Sequence, residues 1–158
     1  MSEAAGSPAS WDRSRCSVAG TLAVVGEKWS LLVLREAFFG VRRFADFQRA
    51  LGAPRAVLTD RLATLVAEGI LRKVPYQPEG ERQRHEYRLT DKGLDLYPTL
   101  VALMAWGDRY LAEDGEVPVE LCHRDCGEPV HLSLTCAAGH TLAGPREVRP
   151  VRTAASVV

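Results

Sequence analysis

The chain has 158 residues, 46% hydrophobic and 25% charged, and twenty Lys/Arg balance twenty Asp/Glu to a formal net charge of zero. These proportions suit an ordinary globular protein and exclude disorder throughout, and no stretch approaches the roughly 18 consecutive apolar residues of a bilayer span. The opening MSEAAGSPAS has neither a basic start nor an apolar run, so no secretory signal is expected, and four cysteines then fit a reducing, cytoplasmic setting, with no membrane partner.

In chain order, residues 1–14 are rich in Ala, Ser, Gly and Pro and read as a flexible tail. An apolar helix is expected over about 18–25, with Gly26 as a left-handed stop. A second is expected over 28–39, where Trp29, Leu32, Val33 and Phe39 have the spacing of a buried face and Gly40 ends the run. A third, over 44–51, places Phe44, Phe47 and Leu51 on one stripe before Gly52. Pro54 suits the first turn of a fourth helix, over 55–68, because its missing N–H costs nothing there. Leu58, Leu62 and Leu65 recur at helical spacing and Gly69 caps the end. Arg55, Ala56, Thr59, Asp60 and Ala63 then lie toward the sides and back of that helix, free of bulky apolar groups, as a close approach to a groove requires.

Two strands are expected over 70–76 and 85–89, joined by a polar loop that Pro78 and Gly80 turn and that Arg82 and Arg84 decorate. Thr90 reads as an N-cap, with Asp91 complementing the dipole of a long helix that reaches about 112 and bends at Pro98. Beyond Gly115 the composition changes: residues 117–146 hold three of the four cysteines and three of the four histidines, and 147–158 reads as a second tail. Charge is unevenly spread. Residues 40–92 carry eleven Lys/Arg against seven Asp/Glu, a net of +4, whereas 93–128 carry two against eight, a net of −6. One part therefore suits a polyanion and the other does not. Seventeen of the twenty basic residues are arginine, whose planar fork matches phosphate and guanine.

Helices, a short helix pair with a glycine turn and a basic hairpin, in that order, describe a mainly α fold with a small β-wing, a winged helix-turn-helix (α+β). Cys16, GEKW at 26–29, LLVLRE at 31–36, RRFADFQRAL at 42–51, VLTDRLATLVAEGIL at 57–71 and YRLTDKG at 87–93 resemble the HxlR-type regulators, relatives of the MarR family. The resemblance runs without gaps over about 16–112, so residues 15–112 are expected to form one DNA-binding and dimerisation domain. It implies a homodimeric transcription factor with no catalytic activity, a double-stranded DNA operator as partner, and a dimer interface built from the first and last helices.

On such a fold the reading helix enters the major groove while flanking basic residues engage phosphates. That assigns Arg55, Thr59 and Arg61 to the reading helix, Arg42 and Arg43 to the start of the preceding one, and Arg82, Gln83 and Arg84 to the wing. Cys16 stands just before the first helix, where the positive dipole end makes a thiolate more reactive. The resemblance implies an oxidant or electrophile sensor there; the alternative is a small residue packed at the dimer interface. Trp29, Phe38, Phe39, Tyr97 and Trp106 are either packing residues or the lining of a pocket for a planar small-molecule effector. Cys122, Cys126, Cys136 and His140, with His123 as an alternative and His131 as a spare, have a composition suited to a closed structural zinc site, and Val130, Leu132 and Leu134 alternate as a strand between the pairs. The alternative is a set of reduced thiols in a packed tail.

Two other functions are weaker. An enzyme would need a nucleophile–base order, a phosphate loop or HExxH, and GEKW lacks the P-loop frame. A zinc-ribbon adaptor for protein or RNA would explain the C-terminal cluster but leave the basic wing and reading helix unexplained.

Overall fold

A computed structural model describes residues 15–151; the N-terminal tail and the end of the C-terminal tail lie outside the described residues. The described residues divide into two compact units: Thr21–Glu120, and residues 15–20 together with 121–151. No single helix among the described residues is long and apolar enough to cross a membrane.

The larger unit is a winged helix. α1 (Ser17–Val25), which begins in the other unit, is followed by α2 (Lys28–Phe38), α3 (Phe44–Leu51), α4 (Arg55–Ala67), β1 (Leu71–Tyr76), β2 (Arg84–Leu89), α5 (Asp91–Leu94) and α6 (Tyr97–Tyr110). The core is one cluster in which Val33 and Leu34 of α2, Phe47 of α3, Leu58, Leu62 and Leu65 of α4, Ile70, Leu71 and Leu100 are buried. The three leucines of α4 thus hold it against the body and leave its other face outward. β1 and β2 pair antiparallel, from Leu71 opposite Leu89 to Tyr76 opposite Arg84. Arg43 adds a single antiparallel bridge to Glu86, and Tyr87 donates its N–H to the Arg42 carbonyl at 2.7 Å, so the residues entering α3 ride on the edge of the wing.

Four local details differ from the sequence expectation. Gly26 does not adopt a left-handed conformation; a Cβ there would stand 2.5 Å from the Leu22 carbonyl oxygen, so glycine is required by close approach. Glu27, not Gly26, organises the next helix, its carboxylate accepting the N–H groups of Trp29 (2.8 Å) and Ser30 (3.2 Å). The buried face of α2 is Ser30, Val33, Leu34 and Glu36, whereas Phe39 is the C-cap and 44% exposed. Pro54 is the residue before α4 rather than part of its first turn, and Gly52 ends α3 in the left-handed region at φ 60°.

The largest difference is the last helix. Instead of one bent helix over 91–112, the four-residue α5 ends at Leu94 and α6 starts anew at Tyr97, with Pro98 in its first turn. Proline has no N–H to offer the carbonyl four residues back, here that of Leu94, and its ring crowds that carbonyl, so the break falls there. α5 is clamped to the end of α4: Thr90 donates its hydroxyl to the Gly69 carbonyl at 2.6 Å and its N–H to that of Ile70 at 3.0 Å, and Lys92 Nζ reaches the Glu68 carbonyl at 2.6 Å.

In the other unit, residues 130–134 form no strand, and Val130, Leu132 and Leu134 are exposed. Instead each Cys/His segment turns back on itself, closed by a bridge between Cys122 and Pro129 in one case and between Thr135 and Thr141 in the other. Each turn is closed by a local backbone hydrogen bond, from the His123 N–H to the Glu128 carbonyl and from the Cys136 N–H to that of His140.

Candidate nucleic-acid interface

With Leu58, Leu62 and Leu65 inside, α4 presents Arg55, Ala56, Thr59, Asp60 and Ala63 to the outside, all of them exposed. Ala56 and Ala63, beside Arg55, Thr59 and Asp60, leave this face low, which a groove-entering helix needs. Thr59 donates its hydroxyl to the Arg55 carbonyl at 2.8 Å, so its outward offering is a methyl group and oxygen lone pairs. Arg61 is half-buried and paired with the neighbouring Asp60.

The wing and the α3 entrance supply the remaining cations. Arg82, Gln83 and Arg84 are exposed around the turn between β1 and β2, and Arg84 is paired with Glu81 at 2.6 Å. Arg42 and Arg43 are exposed, Arg43 as the N-cap residue of α3. They line an open depression of about 520 Å³ with Phe39, Gly40, Val41, Asp46, Arg49 and Glu86. Its two carboxylates are already occupied: Asp46 accepts from Arg49 at 3.2 Å and Glu86 from Arg88 Nε at 2.7 Å.

Charge pairing therefore sorts the eight residues expected to meet DNA. Among the described residues no ion pair engages Arg42, Arg43, Arg55 or Arg82, whereas Arg61 and Arg84 have acidic partners. Two of the unpaired four rest on aromatic rings. The Arg43 guanidinium lies 4.8 Å from the centre of the Tyr76 ring, and that of Arg55 lies 4.9 Å from the centre of Phe44. Neither Phe44 nor Tyr76 was expected at this surface; Phe44 follows Arg43 at the start of α3, a signal that helical periodicity does not register, whereas Tyr76 has no basic neighbour in the sequence to mark it.

The five aromatic candidates do different things. Phe38 and Tyr97 meet with ring centres 4.9 Å apart, Trp29 packs half-buried against the core under Lys28, and Phe39 lines the depression. Trp106 is 58% exposed on α6 and contacts Tyr110, with ring centres 5.4 Å apart. Leu103, Trp106 and Tyr110 fall at i, i+3 and i+7, one stripe of an α-helix, and all three are large, apolar and exposed.

In the other unit, Cys16 is half-buried and its carbonyl accepts the Gly20 N–H at 2.9 Å, which places it as the cap of α1. Further along, Cys126 Sγ stands 3.3 Å from His123 Nδ1, and Cys136 Sγ stands 3.6 Å from His140 Nδ1. The imidazole beside Cys126 is thus that of His123, the alternative first ligand. Among the described residues no group of three or more His, Cys, Asp or Glu is gathered as a metal ion would need. The Cys136 thiol is held below its ordinary pKa by backbone amides, that of His140 first and that of Ala138 next.

The family match falls largely on the larger unit, and the similarity to known proteins extends beyond it. A family model described as an HxlR-like helix-turn-helix matches residues 24–115. An HTH-type transcriptional regulator of Mycobacterium tuberculosis is 51% identical over 120 residues, which is 76% of this chain and 75% of that protein. The crystal structure of PA1607, a candidate transcription factor, is similar at a TM-score of 0.79 and 39% identity, over 89% of this chain and 97% of that one. The redox regulator HypR in its reduced form is similar at a TM-score of 0.53 and 31% identity, over 60% of this chain and 94% of that one.

Proposed function

Because this chain belongs to the HxlR-like helix-turn-helix family, we propose that it is a transcriptional regulator that binds a pseudo-palindromic DNA operator as a homodimer in the cytoplasm. The observation that carries the reading is the surface of α4 and its surroundings. A helix anchored by three buried leucines turns Arg55 and Thr59 outward, and the adjoining α3 entrance and wing add Arg42, Arg43 and Arg82, cations without acidic partners among the described residues. Unpaired arginines release counterions from phosphates and align their forks with guanine, whereas paired ones must first give up a carboxylate.

Dimerisation rests on α6. Leu103, Trp106 and Tyr110 form a stripe that the larger unit leaves uncovered, and Leu111 beside it is 69% exposed. A second copy of the same stripe is the occupant that suits a two-fold interface and the two half-sites of an operator. The signal that the regulator answers is proposed to be oxidation at Cys16, on the strength of its helix-capping position and of the likeness to HypR, a redox regulator.

The test is selection of duplexes from a randomised pool, followed by footprinting and sedimentation of the complex. Two related half-sites about 34 Å apart, with two chains per duplex, are the expected result. A monomer bound to a single unrepeated site would overturn the homodimer, and no enrichment over the starting pool would overturn DNA recognition itself.

A further inference from the structure

The two arginines of this surface that lie on aromatic rings differ in kind from the arginines that lie on carboxylates. A carboxylate takes up the in-plane N–H groups of the guanidinium and cancels its charge, as Glu81 does for Arg84 and Asp60 for Arg61. A ring beneath the guanidinium carbon does neither. It restrains the group while supplying no counter-charge and no carboxylate to take up its N–H groups. Arg55 rests on Phe44 at 4.9 Å and Arg43 on Tyr76 at 4.8 Å, both within the ~6 Å reach of such contacts.

The contacts also join separate elements. Phe44 is the first residue of α3 and Arg55 the first of α4; Arg43 precedes α3, and Tyr76 ends β1. Three parts of the surface are thus connected by two ring–guanidinium contacts, with Arg43 and Phe44 adjacent in the chain. The backbone below is fixed as well, by the Arg43–Glu86 bridge and by the core contact of half-buried Phe44. An arginine free in solvent loses rotamer freedom when it binds; one already held loses less.

We propose that Phe44 and Tyr76 are positioning residues of the DNA-binding surface, holding Arg55 and Arg43 as fixed, uncompensated cations for the phosphate oxygens and guanine edges of duplex DNA. This rests on the proposed DNA-binding function and deepens it: neither ring touches DNA in this scheme, and each acts through its arginine.

The test is a double-mutant cycle on the full chain, with a 30-base-pair duplex selected on the wild-type protein and a scrambled duplex of the same composition. Phe44→Leu keeps an apolar side chain against the core but removes the ring, and a melting temperature within a few degrees of wild type checks that the fold persists. It is expected to weaken binding of the selected duplex about three- to tenfold, and Phe44→Tyr, which restores a ring, is expected to recover wild-type affinity. In an Arg55→Ala background the same Phe44→Leu change should alter affinity less than about twofold, since the residue it positions is gone. Tyr76→Leu with Arg43→Ala should behave in the same way. Equal losses from Phe44→Leu with and without Arg55 would mark Phe44 as structural and overturn the proposal, as would no loss at all. A wild-type protein that does not prefer the selected duplex to the scrambled one would overturn the DNA-binding function as well, and that control separates the two failures.

Discussion

Gly93→Ala is expected to destabilise the larger unit severely, although it exchanges glycine for a better helix former. Gly93 is buried in α5, and a Cβ there would stand 2.3 Å from the Ile70 carbonyl oxygen and 3.0 Å from the Leu89 side chain. The first of these is backbone at the start of β1, so it has no rotamer with which to yield. Relief requires α5 to move away, and α5 is the element whose cap residue Thr90 bonds the carbonyls of Gly69 and Ile70. Overpacking costs about 1–3 kcal/mol, two weakened hydrogen bonds about 1 kcal/mol each, and the helix propensity gained by alanine returns up to about 1 kcal/mol. The net is a loss of about 2–4 kcal/mol, or a melting temperature lower by about 5–12 °C for a chain of this size. Thermal and urea unfolding followed by circular dichroism measure it. A melting temperature within 1 °C of wild type would show that the α5 contact is loose and that the close approach has been misread.

Paired Leu103→Asp and Trp106→Asp substitutions should convert the protein to a monomer at micromolar concentration in sedimentation velocity while leaving its helical content intact; an unchanged dimer would place the interface elsewhere. Because backbone amides hold the Cys136 thiol below its ordinary pKa, its thiolate persists to lower pH than that of an ordinary cysteine. Alkylation by iodoacetamide mapped by mass spectrometry should therefore have a lower pH midpoint at Cys136 in the native protein than in urea, and equal midpoints would refute the amide effect. The same sign makes any contribution of Cys136 to stability present above its unfolded pKa and lost as pH falls through the folded one. Diamide should lower operator affinity in wild type and leave Cys16→Ser unchanged; an equal response of the two would remove Cys16 as the sensor.

Much of the fold was legible because it is periodic or punctuated. The bounds of α3 coincide with the apolar stripe of Phe44, Phe47 and Leu51 and with Gly52, and the leucine triplet of α4 is buried as its spacing requires. The interruption at Leu94–Tyr97 was harder to read, because the apolar pattern continues across it and only the missing N–H of Pro98, acting four residues back, sets the break. At the surface, sequence distinguished arginines from other residues but not paired arginines from unpaired ones. Whether Arg61 meets Asp60 depends on the rotamers of two neighbours on α4, and whether Arg55 meets Phe44 on the turn that brings α3 and α4 together. The C-terminal cysteines and histidines show the same limit: spacing counts donors, whereas the structure sets them as a His123–Cys126 pair and a Cys136–His140 pair on separate turns. The resemblance to HxlR-type regulators, seen over about 16–112, agrees with the family match at 24–115.

The salt dependence of operator binding tests the central claim most directly. Four arginines without acidic partners, Arg42, Arg43, Arg55 and Arg82, in each of two copies would neutralise about eight phosphates if all of them contact the backbone, giving a slope of log affinity against log salt of about −7. Fluorescence titration of the selected duplex between 50 and 200 mM salt should give a slope near that value, and Arg42→Ala with Arg82→Ala should reduce its magnitude by about half. A slope shallower than about −2, or one that the double substitution leaves unchanged, would contradict the assignment of this surface to DNA.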